Sequence, residues 1–285
     1  MSRRLRLTLA AAALAAAAWG THGILLVSDQ VDGVANPQLY DRYYENAVRD
    51  AGYTYTSWDH PTQGSPTFEE LRLYKIVIWY TSTSGQAPAS DPIRGAITLT
   101  EEEQDTLVRY LRDTPGDTAV MLSGMYIAWN CVADAVNEEQ YYRPLFSDYL
   151  KLNYPHDNFD HWIKVEDDWR YVGLAGCPIF KGKSYPIVWR QVTNYPDQLE
   201  AAAGGSASAW WEDLDHKRHH RCVIRAEGTK PGGGKYRIVL FSGPFEDVLH
   251  EESRAELMEN FIDWAGVSEI AVEPASLGRV KALFR

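Results

Sequence analysis

The sequence predicts an α/β domain built on a doubly wound, mostly parallel β-sheet, with a β-rich insertion and a short C-terminal tail. Segments typical of strands alternate with segments of helical periodicity from Gly23 onward. Several strand segments are almost uninterrupted apolar runs, as expected for strands that are covered by helices on both faces. We assign the domain to residues 21–268, the insertion within it to about 154–230 and the tail to 269–285.

The first part of the chain repeats a strand followed by a helix. Strands are predicted at GILLVS, YTYTSW, KIVIWYTS and TAVMLS. Helices are predicted between them at NPQLYDRYYENAVRDAG, FEELRLY and LTEEEQDTLVRYLRD. The last of these helices should begin after Thr100, because Thr100 followed by Glu103 is a capping-box pattern. Strands that are joined through helices pair in parallel with right-handed connections, which predicts an open sheet.

The pattern changes from about Tyr154. Short strand-like segments follow one another without a helix between them, at HWIKVED, WRYVGL, YPIVWRQV, SASAWWED and HRCVIRAEG. We interpret these segments as the β-rich insertion. KYRIVLFSGPFED then returns the chain to the main sheet as its last strand, and the amphipathic segment ESRAELMENFIDWAG closes the domain as a helix.

The N-terminus has the pattern of an export signal. Three arginines within the first six residues precede an uncharged, alanine-rich run over residues 7–19, and Ala16-Ala17-Ala18 offers a cleavage site of small residues. We therefore predict a signal peptide over residues 1–20 and a secreted, periplasmic or cell-surface location. The alternative is a membrane anchor, which the short and weakly apolar run disfavours. No later segment is predicted to span a membrane.

The charge and the cysteines limit the function classes. The chain has 39 Asp and Glu against 28 Lys and Arg, and its formal net charge of −11 repels phosphate backbones, so nucleic acid is not a predicted partner. Cys131, Cys177 and Cys222 are widely spaced and form no CxxC pair, so neither a zinc knuckle nor c-type haem attachment is indicated. Export would permit one disulfide, and the spacing leaves its pairing open.

The candidate ligand site is the edge at which the parallel strands end, because ligands bind there in doubly wound sheets. The residues that the predicted strand ends bring to this edge are Asp29, Asp32, Trp58, Asp59, His60, Thr81, Ser82, Ser123, Gly124 and Ser242 to Glu246. We take five of them as the lining of a candidate ligand-binding crevice: Asp29, Asp32, Ser82, Ser123 and Glu246.

Ser123 stands where the strand VMLS turns into a helix, the place of the nucleophile in several α/β enzyme families. A catalytic set would combine Ser123 with His60 as the base and with Asp29 or Glu246 as the orienting acid. A nucleophile elbow needs small residues two positions before and after its serine, whereas this chain has methionine at both positions. We therefore favour the alternative that Ser123 caps the following helix.

No cofactor is predicted. In a flavodoxin-type site the amides at the first helix N-terminus bind the phosphate of FMN, and the carboxylates of Asp29 and Asp32 would oppose that phosphate. The same acidic loop could bind Ca²⁺, but its ligand count is short, so we interpret these acids as solvated turn residues.

The segment DLDHKRHHRC has the densest set of metal-ligand side chains, and His216, His219 and His220 are its candidate ligands. The neighbouring lysine and arginines would oppose a cation, so a solvated hairpin is the favoured interpretation. Trp210 and Trp211 are adjacent on a predicted strand and point to opposite faces. One of these indoles is therefore a candidate to stack on a sugar ring or on a protein partner.

The order of segments resembles a known family. ILLVSDQVDG, YDRYYENAVRDAGYTYTSWD, LRLYKIVIWYTS, VMLSG and YRIVLFSGPFED together resemble a flavodoxin-like module of large exported bacterial proteins, including immune-inhibitor-A-type metalloproteases. The module is similar in fold to class I glutamine amidotransferases and to ThuA-like proteins. The resemblance covers residues from about 23 to 266 and implies an accessory domain without established catalysis. The amidotransferase cysteine and histidine have no counterpart here, since Ser123 stands at the elbow and Ser242-Gly243 precede Pro244 and Glu246.

We therefore predict an exported, non-catalytic binding or structural module that acts at the cell surface or in an extracellular assembly. Its predicted partners are other extracellular proteins, further copies of itself or carbohydrate. The alternative is an enzyme acting on small molecules or carbohydrates, ThuA-like or hydrolytic, that uses the crevice at the strand ends.

Overall fold

The protein is described by a computed structural model over residues 22–29, 37–82, 98–125, 127–132, 142–153, 169–188, 197–213 and 217–266. The predicted signal peptide, the C-terminal tail, Asp32 and the HWIKVED segment lie outside the described residues. The sequence-based statements about them remain predictions.

Nine strands of the described ranges form one sheet. They are β1 (His22–Ser28), β2 (Tyr55–Asp59), β3 (Tyr74–Ser82), β4 (Thr118–Gly124), β5 (Trp169–Gly173), β6 (Ser184–Ile187), β7 (Gly205–Glu212), β8 (Arg218–Thr229) and β9 (Lys235–Phe241). Their order across the sheet is β2-β1-β3-β4-β9-β8-β7-β5-β6. Neighbouring strands from β2 to β9 pair in parallel, and those from β9 to β6 pair antiparallel.

Helices cover both faces of the sheet. The α-helices of the described ranges are α1 (Pro37–Asp50), α2 (His60–Gln63), α3 (Phe68–Leu71), α4 (Glu101–Asp113), α5 (Ile127–Val132) and α6 (Glu251–Ala265). Residues of α1 and α6 form one apolar cluster with Leu26 and Met121 of the sheet, and residues of α4 and α5 form a second cluster with Val27 and Leu122. None of these helices is long and apolar enough to cross a bilayer.

The predicted α/β fold is confirmed, and the strands predicted to be parallel, β1 to β4 and β9, do pair in parallel. The sheet as a whole is mixed, because β5 to β8 continue it beyond β9. A tight turn joins β8 to β9, and the positive φ angles of Gly233 and Gly234, 86° and 81°, are accessible to glycine at little cost. Strands that are joined by so short a turn can pair only antiparallel.

Local structure at the start of α4 agrees with the sequence pattern. The Thr100 side chain accepts a hydrogen bond from the backbone N–H of Glu103, and the Glu103 carboxylate accepts one from the backbone N–H of Thr100. This is the predicted capping box. A π-helical turn over Leu145–Leu150 was not predicted, and it ends at Lys151, whose backbone is left-handed.

All three cysteines are free and buried. Cys131 packs in the cluster on the α4 face, whereas Cys177 and Cys222 pack in the cluster on the α1 face. The sheet therefore separates Cys131 from the other two thiols. Burial raises the pKa of the Cys131 thiol to about 12 and also raises the pKa of Cys222. Buried thiols with raised pKa values are poor nucleophiles.

We expect the folded protein to react slowly with a water-soluble disulfide reagent such as DTNB, because all three thiols are buried. After unfolding without a reductant, the same reagent should titrate all three cysteines. A titration that finds one thiol per unfolded chain would show that two cysteines had formed a disulfide, and it would contradict this arrangement.

Candidate functional site

The carboxyl ends of the parallel strands carry two groups of polar side chains on opposite faces of the sheet. Successive side chains of a strand alternate between the faces. Asp29 follows β1 on the face of Leu25 and Val27, which is the α4 face. Ser123 lies on β4 on the face of Met121, which is the α1 face. The predicted crevice residues are therefore divided between two sites.

The first group, which we call the acid–histidine cluster, consists of Asp29, His60 and Glu103. His60 Nδ1 lies 2.9 Å from Asp29 Oδ1, and His60 Nε2 lies 2.7 Å from Glu103 Oε1. Both carboxylates are largely buried, with 5% and 4% of their residue surface exposed, and 22% of the His60 side chain is exposed. The imidazole thus bridges two buried acids and keeps one side open to solvent.

Each member of the acid–histidine cluster is positioned by a different element. Asp29 directly follows β1; its backbone N–H donates to Tyr80 O at 2.9 Å, and its Oδ2 accepts a 3.0 Å hydrogen bond from the Trp79 indole. His60 is the first residue of α2, which follows β2 directly. Glu103 lies in the first turn of α4, where its Oε2 completes the capping box and its Oε1 accepts a 2.5 Å hydrogen bond from the Ser65 hydroxyl.

The charges in this cluster support one another. Hydrogen bonds to Asp29 and then to Glu103 raise the pKa of His60 to about 10, against the opposing effect of burial. Burial alone would raise the pKa of Glu103, but hydrogen bonds from His60, Ser65 and Thr100 outweigh it and lower the pKa to about 2. At neutral pH the cluster is therefore an imidazolium between carboxylates, and neither ring nitrogen can accept a proton.

The second group, which we call the serine cluster, consists of Tyr44, Ser123 and Glu246. All three are fully buried. The Tyr44 hydroxyl lies 2.6 Å from Glu246 Oε2 and 2.8 Å from Ser123 Oγ, and Ser123 Oγ accepts a 2.9 Å hydrogen bond from the backbone N–H of Phe245. These bonds join α1, the end of β4 and the loop after β9.

The serine cluster is a fixed chain of hydrogen bonds. Tyr44 has one hydroxyl proton, which it donates to the Glu246 carboxylate, so the Ser123 hydroxyl donates to the Tyr44 oxygen. Burial, and then the charge of Glu246, raise the pKa of Tyr44 well above its usual value. The Tyr44 ring stacks on Tyr80 with 3.9 Å between the ring centroids. The Ser123 hydroxyl is therefore committed to two neighbours and has no exposed surface.

The structure brings together some of the predicted catalytic residues and separates others. His60 contacts Asp29, and Ser123 reaches Glu246 through Tyr44. Ser123 and His60 lie on opposite faces of the sheet, so the structure does not bring this pair together. Ser82 ends β3, where its backbone pairs with Gly124, and its side chain lies outside the described residues.

The predicted histidine-rich metal cluster is described in part. His216 and the His219 side chain lie outside the described residues. His220 is on β8 and lines a hollow of about 220 Å³ together with Trp210 and Arg221. The Arg221 guanidinium lies over the Trp210 ring, 5.3 Å from its centre. This face of Trp210, a candidate for sugar stacking, therefore makes a cation–π contact within the protein.

Sequence analysis missed two members of the clusters, Glu103 and Tyr44, and one residue that bonds to a member, Ser65. Glu103 was assigned to helix capping alone, but its second carboxylate oxygen contacts His60. Tyr44 and Ser65 were not considered, and each contacts its partner across a long stretch of chain. Among the described residues, one group of three His, Cys, Asp or Glu side chains has ligand-type atoms within 4.8 Å of one another, and it is the acid–histidine cluster. A groove of about 480 Å³ beside it is lined by Ser65, Phe68, Glu102, Glu103, Asp105 and Arg109.

Comparisons with known proteins give similarity in solved structures only, since no family model and no curated protein matches the sequence. A ThuA-like protein from Bacteroides uniformis is 12% identical, with 88% of this chain and 93% of that chain covered and a TM-score of 0.49. A cytoplasmic protein from Salmonella typhimurium is 10% identical, with 85% and 98% covered and a TM-score of 0.49. The glutaminase domain of CTPS from Trypanosoma brucei, with bound acivicin, is 9% identical, with 89% and 97% covered and a TM-score of 0.46. Identities and scores of this size do not bear on function.

We expect His60 to stabilise the metal-free protein in a pH-dependent way. Its folded-state pKa is raised, so its contribution should be complete below pH 6.5 and should be lost as the pH rises to about 10. The pKa of Glu103 is lowered, so its contribution should be complete above pH 4.5 and should be lost as the pH falls to about 2. Between pH 4.5 and pH 6.5 both contributions are complete. In this interval we expect His60→Gln to lower the free energy of unfolding by about 2 kcal/mol, as is usual for hydrogen bonds to charged groups.

Urea unfolding of the wild type and of His60→Gln, measured from pH 4.5 to about pH 10 with EDTA present, checks the prediction. The exposed His250 provides the matched control, because His250→Gln should give a difference that stays near zero. A His60→Gln difference that does not shrink towards pH 10 would contradict the ion-bridged cluster.

Proposed function

We propose that the protein is an exported, non-catalytic binding module of flavodoxin-like architecture that acts at the cell surface or in an extracellular assembly. The order of its parallel strands supports the architecture: counted along the chain among themselves, β2, β1, β3, β4 and β9 follow the order 2-1-3-4-5 of flavodoxin-like sheets. The export-signal pattern over residues 1–20 supports the location. The binding surface is the edge at the carboxyl ends of these strands, where the acid–histidine cluster lies.

One observation carries the non-catalytic part of the proposal. The Ser123 hydroxyl, which holds the nucleophile position of related architectures, is fully buried and bonded to Phe245 N–H and Tyr44. A nucleophile needs a base within hydrogen-bond reach and an open approach for the substrate. The neighbour of Ser123 is a tyrosine whose pKa is raised, so it cannot remove the serine proton at neutral pH.

An enzyme that uses the same edge is the second candidate function. It is favoured by the 2.9 Å contact between His60 and Asp29, which is the histidine–acid pair that the sequence suggested, and by the groove beside Glu103. Against it, both imidazole nitrogens already donate to carboxylates. A histidine in this state cannot act as a general base unless one of the contacts opens.

Replacing Ser123 with Ala should lower the stability of the protein without changing any catalytic rate. The change removes the acceptor of the buried Phe245 N–H and one partner of Tyr44, so we expect the free energy of unfolding to fall by about 1–3 kcal/mol. Ser184, which is exposed at the start of β6, is the matched control, and Ser184→Ala should change stability by less than about 0.5 kcal/mol.

The same variants test catalysis. A fluorophosphonate probe should not label Ser123 in the folded wild type, and a panel of ester, amide and glycoside substrates should give equal background rates for wild type and Ser123→Ala. A covalent adduct on Ser123, or turnover that disappears in folded Ser123→Ala but persists in Ser184→Ala, would make the enzyme hypothesis the better one.

A further inference from the structure

We propose that Asp29, His60 and Glu103 bind a divalent transition-metal ion, with Zn²⁺ as the ion that the donor set fits best. This inference rests on the proposed function, because it names the class of ligand that binds at the carboxyl ends of the parallel strands. The site joins three elements of the fold, the end of β1, the first residue of α2 and the first turn of α4.

The donor atoms have suitable chemistry and spacing. One imidazole nitrogen and one oxygen from each carboxylate lie within 4.8 Å of one another. Zinc bonds to histidine nitrogen and carboxylate oxygen at about 2.0–2.2 Å in a tetrahedron, so its donors are about 3.4 Å apart and must draw together around the ion. Asp29 and Glu103 contact different nitrogens of the His60 ring. To bind one ion, the ring would therefore turn so that one nitrogen faces an ion held between the two carboxylates. A set of donor atoms that mixes nitrogen and oxygen favours Zn²⁺ and other first-row transition-metal ions over Mg²⁺ and Ca²⁺, which prefer oxygen donors alone.

The charge of the site is suited to a dication. Two carboxylates lie almost fully buried, and buried charges require compensation by a cation or by hydrogen bonds. In the metal-free protein the His60 side chain provides it through its contacts to both acids. A bound ion would take over this compensation, with His60 as a neutral ligand whose displaced proton leaves to solvent.

Outer contacts already fix the carboxylates. The Trp79 indole donates to Asp29 Oδ2, and both the Ser65 hydroxyl and the Thr100 backbone N–H donate to Glu103. Hydrogen bonds of this kind orient metal ligands and are a regular part of metal sites. The ring of His60 is partly exposed, which gives an ion a path from solvent. Three protein ligands would leave one position of a tetrahedral ion for water or a further ligand.

A second observation also indicates a ligand at this place. Thr81 lies near the end of β3, where the pairing of β3 with β4 shifts register between Tyr80 and Ser82. The register pairs Ser28 with Tyr80, which places Thr81 beside Asp29. The Thr81 hydroxyl is completely buried, and within the described part of the chain it has no hydrogen-bond partner. Buried hydroxyls without partners are uncommon, and a metal-bound water beside Asp29 would supply one.

The test is metal binding by the full-length protein after treatment with EDTA and removal of the chelator. Titration calorimetry with Zn²⁺ should show one site per chain, and Mg²⁺ and Ca²⁺ should bind at least about tenfold more weakly. Co²⁺ should occupy the same site and give the visible absorption bands of a four- or five-coordinate ion. Binding of one Zn²⁺ that Co²⁺ does not report would indicate a different site.

Two ligand variants and two controls decide whether the cluster is the site. Glu103→Gln keeps the capping box, since glutamine also caps, and should weaken Zn²⁺ binding by at least about tenfold. His60→Gln should weaken it at least as much. Glu102→Gln changes the exposed neighbour of Glu103, and His220→Gln changes the other candidate histidine region; both should bind Zn²⁺ as the wild type does.

Zinc binding with unchanged affinity in folded Glu103→Gln would overturn the proposal, and so would the absence of Zn²⁺ binding by the wild type. If His60→Gln does not fold, as judged by circular dichroism, Glu103→Gln alone decides. Failure here is distinguishable from failure of the proposed function. A protein that binds no zinc but shows no turnover keeps the binding role without this ligand, whereas zinc-dependent turnover would keep the metal site and remove the non-catalytic role.

Discussion

The alternation of side chains along parallel strands is the constraint on which the arrangement of polar residues depends. All five parallel strands end at one edge, so their terminal side chains gather there. The same strands send successive side chains to opposite faces, so the gathered residues are sorted into two groups. Asp29 contacts His60 at the start of α2 on one face, and Ser123 contacts Tyr44 of α1 on the other.

The two clusters differ in the groups that compensate their buried carboxylates. Glu246 is compensated by a tyrosine hydroxyl within a closed chain of hydrogen bonds, which has no opening to solvent. Asp29 and Glu103 are compensated by a histidine that remains partly exposed. A closed chain of this kind stabilises the fold, whereas an exposed cation between two acids can be exchanged for another cation. Because of this difference, we propose a structural role for the serine cluster and a ligand-binding role for the acid–histidine cluster.

Sequence reasoning succeeded where the signals are local. Apolar runs predicted β1, β3 and β4, and Thr100 with Glu103 predicted the start of α4. It failed where the partners are distant in the chain. Nothing near His60 indicates that its second acid is Glu103, because the contact depends on how α4 packs on the sheet. The continuation of the sheet through β5 to β8 likewise depends on the hairpin to β9, which periodicity alone does not reveal.

The ionisation of His60 tests the account most directly, and nitrogen NMR of histidine-labelled, metal-free protein measures it. The His60 signals are identified by their absence from the spectrum of His60→Gln. From pH 6.5 until the pH approaches about 10, both ring nitrogens should have the shifts of a protonated imidazolium, because each donates to a carboxylate. A neutral imidazole at His60 in the lower half of that range would contradict the bridge between Asp29 and Glu103, and with it the division of roles between the two clusters.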